Sequence, residues 1–312
     1  MLVRHLSFFV TLAREQHFAR AADACNVTQS TLSAALRKLE EDLQVPLVVR
    51  NQRFVGLTVE GEHLLAWARQ ILADYDGLRD DLSGLRAGLS GTLRLGVVPA
   101  AMGAVGALST LFRKAHPEAL IEIRSLSSRD IQKGLDDFEL EAGLTYLENE
   151  PLERVRRVPL YHERYILAMR ADHPLAARET VTWAEAVTQT LCLLSPDMQN
   201  RRILDNLAES LALKLRPAVV SNSFLGICAH LRAGGFAAIV PHGFRQLFGG
   251  TDDLAMRDLV EPAHRQAVGL VLSDREPLPP MASALLRVVL RADFGADGHT
   301  GSAAELFGSS CL

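Results

Sequence analysis

Residues 2–14 place Leu2, Leu6, Phe9, Val10 and Ala13 at helical spacing, which predicts an amphipathic helix. A second short helix fits "FARAADAC", Phe18 to Cys25, where the alanines allow close packing. The tripeptide "NVT" supplies a tight turn, and Thr28 suits the N-cap of the next helix. In "VTQSTLSAALRKLEEDL" the apolar residues Val27, Leu32, Ala35, Leu36, Leu39 and Leu43 share one face, and Gln29, Ser30, Ser33, Arg37 and Lys38 share the other. Two helices joined by so short a turn form a helix-turn-helix. The β-rich halves "LVVR" and "RFVGLT" flank Asn51 and Gln52 and predict a small hairpin, the wing of a winged helix-turn-helix.

From Thr58 the period changes. Leu64, Ala68, Ile71, Tyr75, Leu78, Leu82 and Leu85 follow one another at intervals of 4, 3, 4, 3, 4 and 3 residues. That regular a/d seam predicts a long helix that pairs with a second copy, and packing on its own domain is the competing reading. "AGLSG", residues 87–91, reads as a hinge. Beyond it, "TLRLGVV", "GAVGALSTLFRKAHP", "LIEIRSL", "SSRDIQKGLDDF" and "LEAGLTY" alternate strand and helix, the order of a parallel sheet with helical crossovers. A second such series starts near Thr190, with "RVPLYHERYILAMRADHPL" between the two as extended crossover strands. "QAVGLVLS" and "PMASALLRVVLRADF" return to the first half.

The predicted fold class is therefore α/β. It comprises a winged helix-turn-helix (1–58), a linker helix and hinge (59–91), and a two-lobed, periplasmic-binding-protein-like effector domain (92–294). Lobe I covers about 92–161 and 268–294, and lobe II about 162–267. The small, polar, glycine-rich stretch 295–312 reads as a disordered tail.

Composition narrows the function. In 312 residues, 48% are hydrophobic and 22% charged, which suits a globular chain with real cores. The net charge of −4 argues against indiscriminate coating of nucleic acid and leaves room for a small DNA-reading module. No apolar run nears the ~18 residues that span a bilayer, so no membrane partner is expected and the cytoplasm is the expected location. Cys25, Cys192, Cys228 and Cys311 form no C-x-x-C pair and read as buried or incidental thiols, with no metal or cofactor implied. Sequences for phosphate loops, dinucleotide turns and nucleophile elbows are absent, which disfavours an enzyme.

Taken together, "FARAADACNVTQSTLSAALRKLEEDLQVPLVVR" and "RNQRFVGLTVEG" resemble the helix-turn-helix and wing of the LysR-type transcriptional regulators, and the heptad helix and two lobes continue that plan. The resemblance implies a regulator that binds double-stranded operator DNA, senses a small-molecule effector and forms a homodimer or homotetramer, with RNA polymerase as a further partner. There are departures: Ala34 and Ala35 occupy positions where the family usually has a basic and then a polar residue, Gln44 stands where it often has glycine, and Val48 where it often has phenylalanine.

By residue type, Thr28, Gln29, Ser30, Thr31 and Ser33 suit base edges or phosphates at a helix N-terminus, and Arg37, Lys38, Arg50 and Arg53 suit phosphates. Residues 1–60 hold seven Arg and Lys against six acids, so placement rather than net charge carries this expectation.

Effector candidates cluster where strands end and helices begin. They are Ala100, Ala101, Met102 and Ser128 in the first lobe and Ser195 and Ser223 in the second. Their hydroxyls and helix N-termini suit a small anion such as a carboxylate. "GLDDFELEAGLTYLENEPLERV" has a faint resemblance to regulators associated with formate dehydrogenase genes, which points to formate or a related acid. The alternatives are a small-molecule-binding protein without a DNA role, or a DNA-binding enzyme with a catalytic α/β part.

Overall fold

The computed structural model describes residues 2–51, 53–87, 89–249 and 252–292, with the side chains of residues 50, 51, 53, 80, 81 and 83–87 left aside. The expected tail, the Leu85 side chain and the side chains of Arg50 and Arg53 lie outside the described residues. The chain divides into two units, Met1–Leu89 and Ser90–Leu312, so the long helix belongs with the helix-turn-helix.

The first unit runs α1 (Leu2–Glu15), α2 (Phe18–Ala24), α3 (Gln29–Leu43), β1 (Val48–Asn51), β2 (Arg53–Leu57) and α4 (Val59–Ala87). Phe9, Leu12, Leu32, Leu36 and Leu39 are all but fully buried in its core, so truncating one of them costs about 2–5 kcal/mol. Short polar bonds fix the chain reversals. Glu40 accepts from the backbone N–H of Leu47 (2.9 Å) and Val48 (3.2 Å), tying the strand entry to α3. Thr58 donates to the Pro46 carbonyl (2.7 Å) and accepts from Gly61 N–H (2.9 Å), capping α4. A Cβ at Gly61 would stand 2.2 Å from the Leu47 carbonyl oxygen, so α4 can start this close to the wing only with glycine there. Gln44 ends α3 in the left-handed region at φ 60°, a conformation that glycine adopts without cost.

The heptad seam divides. Ala68 is fully buried, and Leu64 packs with Leu65 and Leu72 against the unit's own core, so neither is free to meet a second copy. Ile71, Tyr75, Leu78 and Leu82 remain exposed, joined by Trp67 at 62%. The interval rule detects the stripe but not α1, which packs on the first turns of α4 and takes up its N-terminal part.

In the second unit β3 (Gly91–Val97), a 3-10 turn (Pro99–Ala101), α5 (Met102–Ala115), β4 (Ala119–Ser125), α6 (Ser128–Asp136) and β5 (Ala142–Tyr146) form the first lobe. The strand β6 (Val155–Arg170) leads to β7 (Thr180–Thr182), α7 (Trp183–Ala186), β8 (Leu191–Leu194), α8 (Gln199–Ser210), β9 (Pro217–Ser221), α9 (Phe224–Ala233), β10 (Ala237–Pro241), α10 (Phe244–Phe248) and β11 (Leu254–Val260). β12 (Arg265–Ser273) and α11 (Pro280–Arg291) complete the chain.

Among the described residues ten strands connect, in the path β4-β3-β5-β12-β6-β10-β8-β9, with β11 pairing β6 and β7. β3 is parallel to β4 and β5, and β8 is parallel to β9 and β10, so each lobe repeats one arrangement. β6 belongs to both lobes: residues 155–164 pair with β12, and residues 165–170 pair with β10 and β11. β7, α7, α10 and β11 were not anticipated. Yet α7 carries a readable signal, because "TWAE" forms a capping box in which Thr182 and Glu185 exchange bonds of 2.9 and 3.2 Å.

Candidate functional site

The first candidate is the polar face of α3. The Thr28 side chain accepts from Thr31 N–H at 3.2 Å and shares 2.8 Å contacts with the hydroxyls of Ser30 and Thr31. The cap therefore orders three hydroxyls at a helix N-terminus, where free N–H groups favour a phosphate. Gln29 and Arg37 are exposed and Ser33 is half-buried. Among the described residues no carboxylate lies within ion-pair reach of Arg37. Lys38 differs. Its ammonium bonds to Asp42 at 2.9 Å with Glu41 at 3.8 Å, and the Asp42 hydrogen bond and charge raise its pKa. A phosphate would have to displace those carboxylates, which weakens Lys38 as a contact. Backbone pairing of Arg50 with Phe54 and of Arg53 with Asn51 sets both arginines on the wing.

The second candidate is the seam between the lobes. The Tyr146 hydroxyl at the end of β5 donates to Glu163 Oε1 of β6 at 2.5 Å and accepts from Asn200 Nδ2 of α8 at 2.8 Å. Thr145 donates to Gln199 Oε1 at 3.3 Å, and Gln199 Nε2 donates to the carbonyls of Glu148 and Asn149. Arg202 grips Glu150 through two bonds of 2.6 Å, so the start of α8 holds the loop after β5. Thr145, Tyr146, Glu163, Gln199 and Asn200 are each at most 3% exposed.

Burial pushes the Glu163 carboxyl up to about 8, against the opposing bond from Tyr146, and pushes the Tyr146 and Tyr165 hydroxyls well above their ordinary values. Ala100, Gly103 and Ala104 meet Tyr161, Glu163, His242 and Gln246 around a small depression of about 20 Å³. Burial, with the charge of Arg164, lowers His242 to about 4, and its Nδ1 accepts from Arg164 N–H at 3.1 Å.

The strand-end candidates scatter. Ala100 lines the depression, Ala101 is fully buried beside it, and Met102 begins α5. Ser195 is half-buried at the end of β8, and its hydroxyl oxygen is buried without a hydrogen-bond partner. Ser128 instead lines a separate groove of about 330 Å³ with Gln132, Glu150 and Arg154. Ser223 caps α9, its hydroxyl accepting from Leu225 N–H at 3.2 Å. Glu163, Tyr146, Gln199 and Asn200 were missed. No motif marks them, because they meet only after the lobes assemble.

Comparison with known proteins places both units. The family model described as bacterial regulatory helix-turn-helix protein, lysR family, matches residues 3–62, and the LysR substrate binding domain matches residues 86–293. The uncharacterized HTH-type transcriptional regulator YnfL of Escherichia coli (strain K12) is 31% identical over 250 residues, covering 78% of this chain and 84% of that protein. A hydrogen peroxide-inducible genes activator of Escherichia coli O157:H7 is 33% identical over 199 residues, 62% of this chain and 64% of that one. Among solved structures, a full-length OxyR variant from Pseudomonas aeruginosa superposes with a TM-score of 0.73 at 25% identity, covering 93% of this chain and 94% of that one.

Proposed function

The chain belongs to the LysR family of transcriptional regulators, and on that premise we propose that α3 reads operator DNA while the seam between the lobes binds the effector. Members of this family are regulators rather than enzymes; they bind operator DNA, respond to small molecules and form oligomers. The observation that carries the effector reading is the polar seam of Tyr146, Glu163 and Asn200, held dry at the junction of two lobes that β6 and β12 join. A ligand there would favour one relative lobe angle, and only its difference in affinity between angles can shift the population.

Gln29 and Ser33 are the proposed base-reading residues, with Thr28, Ser30, Thr31, Arg37, Arg50 and Arg53 as phosphate contacts. Exposed Ile71, Tyr75, Leu78 and Leu82 are the proposed pairing face of α4. No helix among the described residues is long and apolar enough to cross a membrane, and a DNA-binding role fits the cytoplasm.

One of the relatives is named for induction by hydrogen peroxide, a chemistry that the two buried cysteines of the second lobe disfavour. Cys192 and Cys228 are buried, and burial raises both thiols, leaving little thiolate to react. Cys311 lies outside the described residues. Selection of duplexes from random DNA tests the proposal. It should enrich a two-fold symmetric site, as a dimer requires, and combining Ile71→Glu with Leu78→Glu should give monomers that no longer retain it. An enriched site without two-fold character, or an unchanged oligomer in sedimentation, would contradict the pairing face.

A further inference from the structure

Tyr146 sits between two groups that are each half used. Glu163 is 1% exposed and receives the Tyr146 hydroxyl on Oε1, while Oε2 has no hydrogen-bond partner. Asn200 is 3% exposed and spends Nδ2 on the same hydroxyl, while Oδ1 has none. Asn200 Oδ1 is an acceptor, and Glu163 Oε2 becomes one once its carboxyl is ionised. The Tyr165 hydroxyl is buried beside Tyr146 and Glu163. Buried acceptors left without donors carry a desolvation cost that a donor-bearing ligand would remove.

The charge pattern points the same way. Burial is the main influence on Glu163, and the only opposing one is the Tyr146 hydrogen bond; no cation counters it. Arg164 and Arg245 act on His242, and Asp258 opposes them there. A carboxylate entering the cleft could take a bond from the protonated Glu163 carboxyl but none from Asn200 Oδ1. An ammonium would meet two groups able to receive its protons, Asn200 Oδ1 and an ionised Glu163.

We propose that the interlobe cleft recognises an amino group of the effector, carried as an ammonium whose N–H bonds go to Glu163 Oε2 and Asn200 Oδ1. This rests on the reading that the effector binds between the lobes, and it replaces the small anion expected from strand-end hydroxyls. The Glu163 carboxyl, protonated near neutrality because burial raises it, gives up its proton as the ammonium enters. The effector class is then a primary amine, an amino alcohol or a diamine, whose water-sized ammonium end alone enters the space beside Gly103 and His242.

Calorimetry and thermal shift on the full chain test this with ethylammonium, ethanolamine and putrescine against formate, acetate and succinate. The expected result is binding of ammonium probes with release of roughly one proton per site at pH about 7, read from the dependence of heat on buffer ionisation. Glu163→Gln, an isosteric change, should weaken that binding roughly tenfold or more. Gly103→Leu fills the depression from a helical position where a Cβ finds ordinary contacts, and should abolish binding. Carboxylates that bind wild type but not Gly103→Leu, with ammonium probes silent, would keep the site and overturn the class. Binding that persists in Gly103→Leu would overturn the site itself. Silence of every ammonium probe at millimolar concentration overturns the proposal.

Discussion

On α3 the hydroxyls of Thr28, Ser30 and Thr31 share 2.8 Å contacts in full reach of water, whereas at the lobe seam the Tyr146 hydroxyl holds Glu163 at 2.5 Å and Asn200 at 2.8 Å in a dry interior. The side-chain types are alike and their surroundings are opposite. Water replaces any partner lost from the α3 face, so a substitution there changes what DNA can touch and leaves stability nearly alone. At the seam a lost partner leaves a buried group unpaired, and the fold bears the cost. The Lys38–Asp42 pair, both sides exposed, belongs to the first regime; Tyr146–Glu163 belongs to the second.

The largest expected consequence follows from Tyr146→Phe. It strips the seam of the hydroxyl that serves Glu163 and Asn200 together and should lower stability by about 2–4 kcal/mol. Urea unfolding measures it, and a loss below about 0.5 kcal/mol would place the seam in the wet regime with α3.

Protonation sharpens the comparison further. The Glu163 carboxyl rises from 4.5 to about 8 on folding, so its contribution is fully present below pH 4.5 and is lost as pH rises through 8. His242 falls from 6.5 to about 4, so its contribution is present above pH 6.5 and is lost as pH falls through 4. Melting temperature against pH should be highest between 4.5 and 6.5, where the two windows overlap and their slopes oppose. Glu163→Gln should flatten the alkaline limb and His242→Gln the acid limb. A profile that neither variant alters would contradict the dry seam.

The smallest effect belongs to the left-handed end of α3. Gln44→Gly relieves a side chain at φ 60° and should stabilise the chain by about 0.5–1 kcal/mol, with DNA binding unchanged.

What the sequence made readable follows the same division. The α3 face is local: Thr28, Gln29 and Arg37 sit within three helical turns, so periodicity and capping rules reach them. The seam is not local. Tyr146 and Glu163 are 17 residues apart, and Tyr146 and Asn200 are 54. Strand-end reasoning reached Ala100 and Ser195 but passed over Glu163, because β6 carries its carboxyl into the cleft from within a crossover strand. The same reasoning reached Ser223, whose hydroxyl also caps the first turn of α9. The heptad stripe was found by counting, yet only packing against α1 and the wing distinguishes Ala68 from Ile71.

Central to this account is that the wet face reads and the dry seam senses, each without the other's residues. Fluorescence anisotropy with the selected duplex and a scrambled one, for Gln29→Ala and Tyr146→Phe at one salt concentration, tests it most directly. Gln29→Ala should lose about 1–3 kcal/mol of discrimination with an unchanged unfolding curve. Tyr146→Phe, assayed well below its lowered melting temperature, should keep full discrimination. If Tyr146→Phe erodes discrimination as much as Gln29→Ala does, reading and sensing are not separate and the account fails.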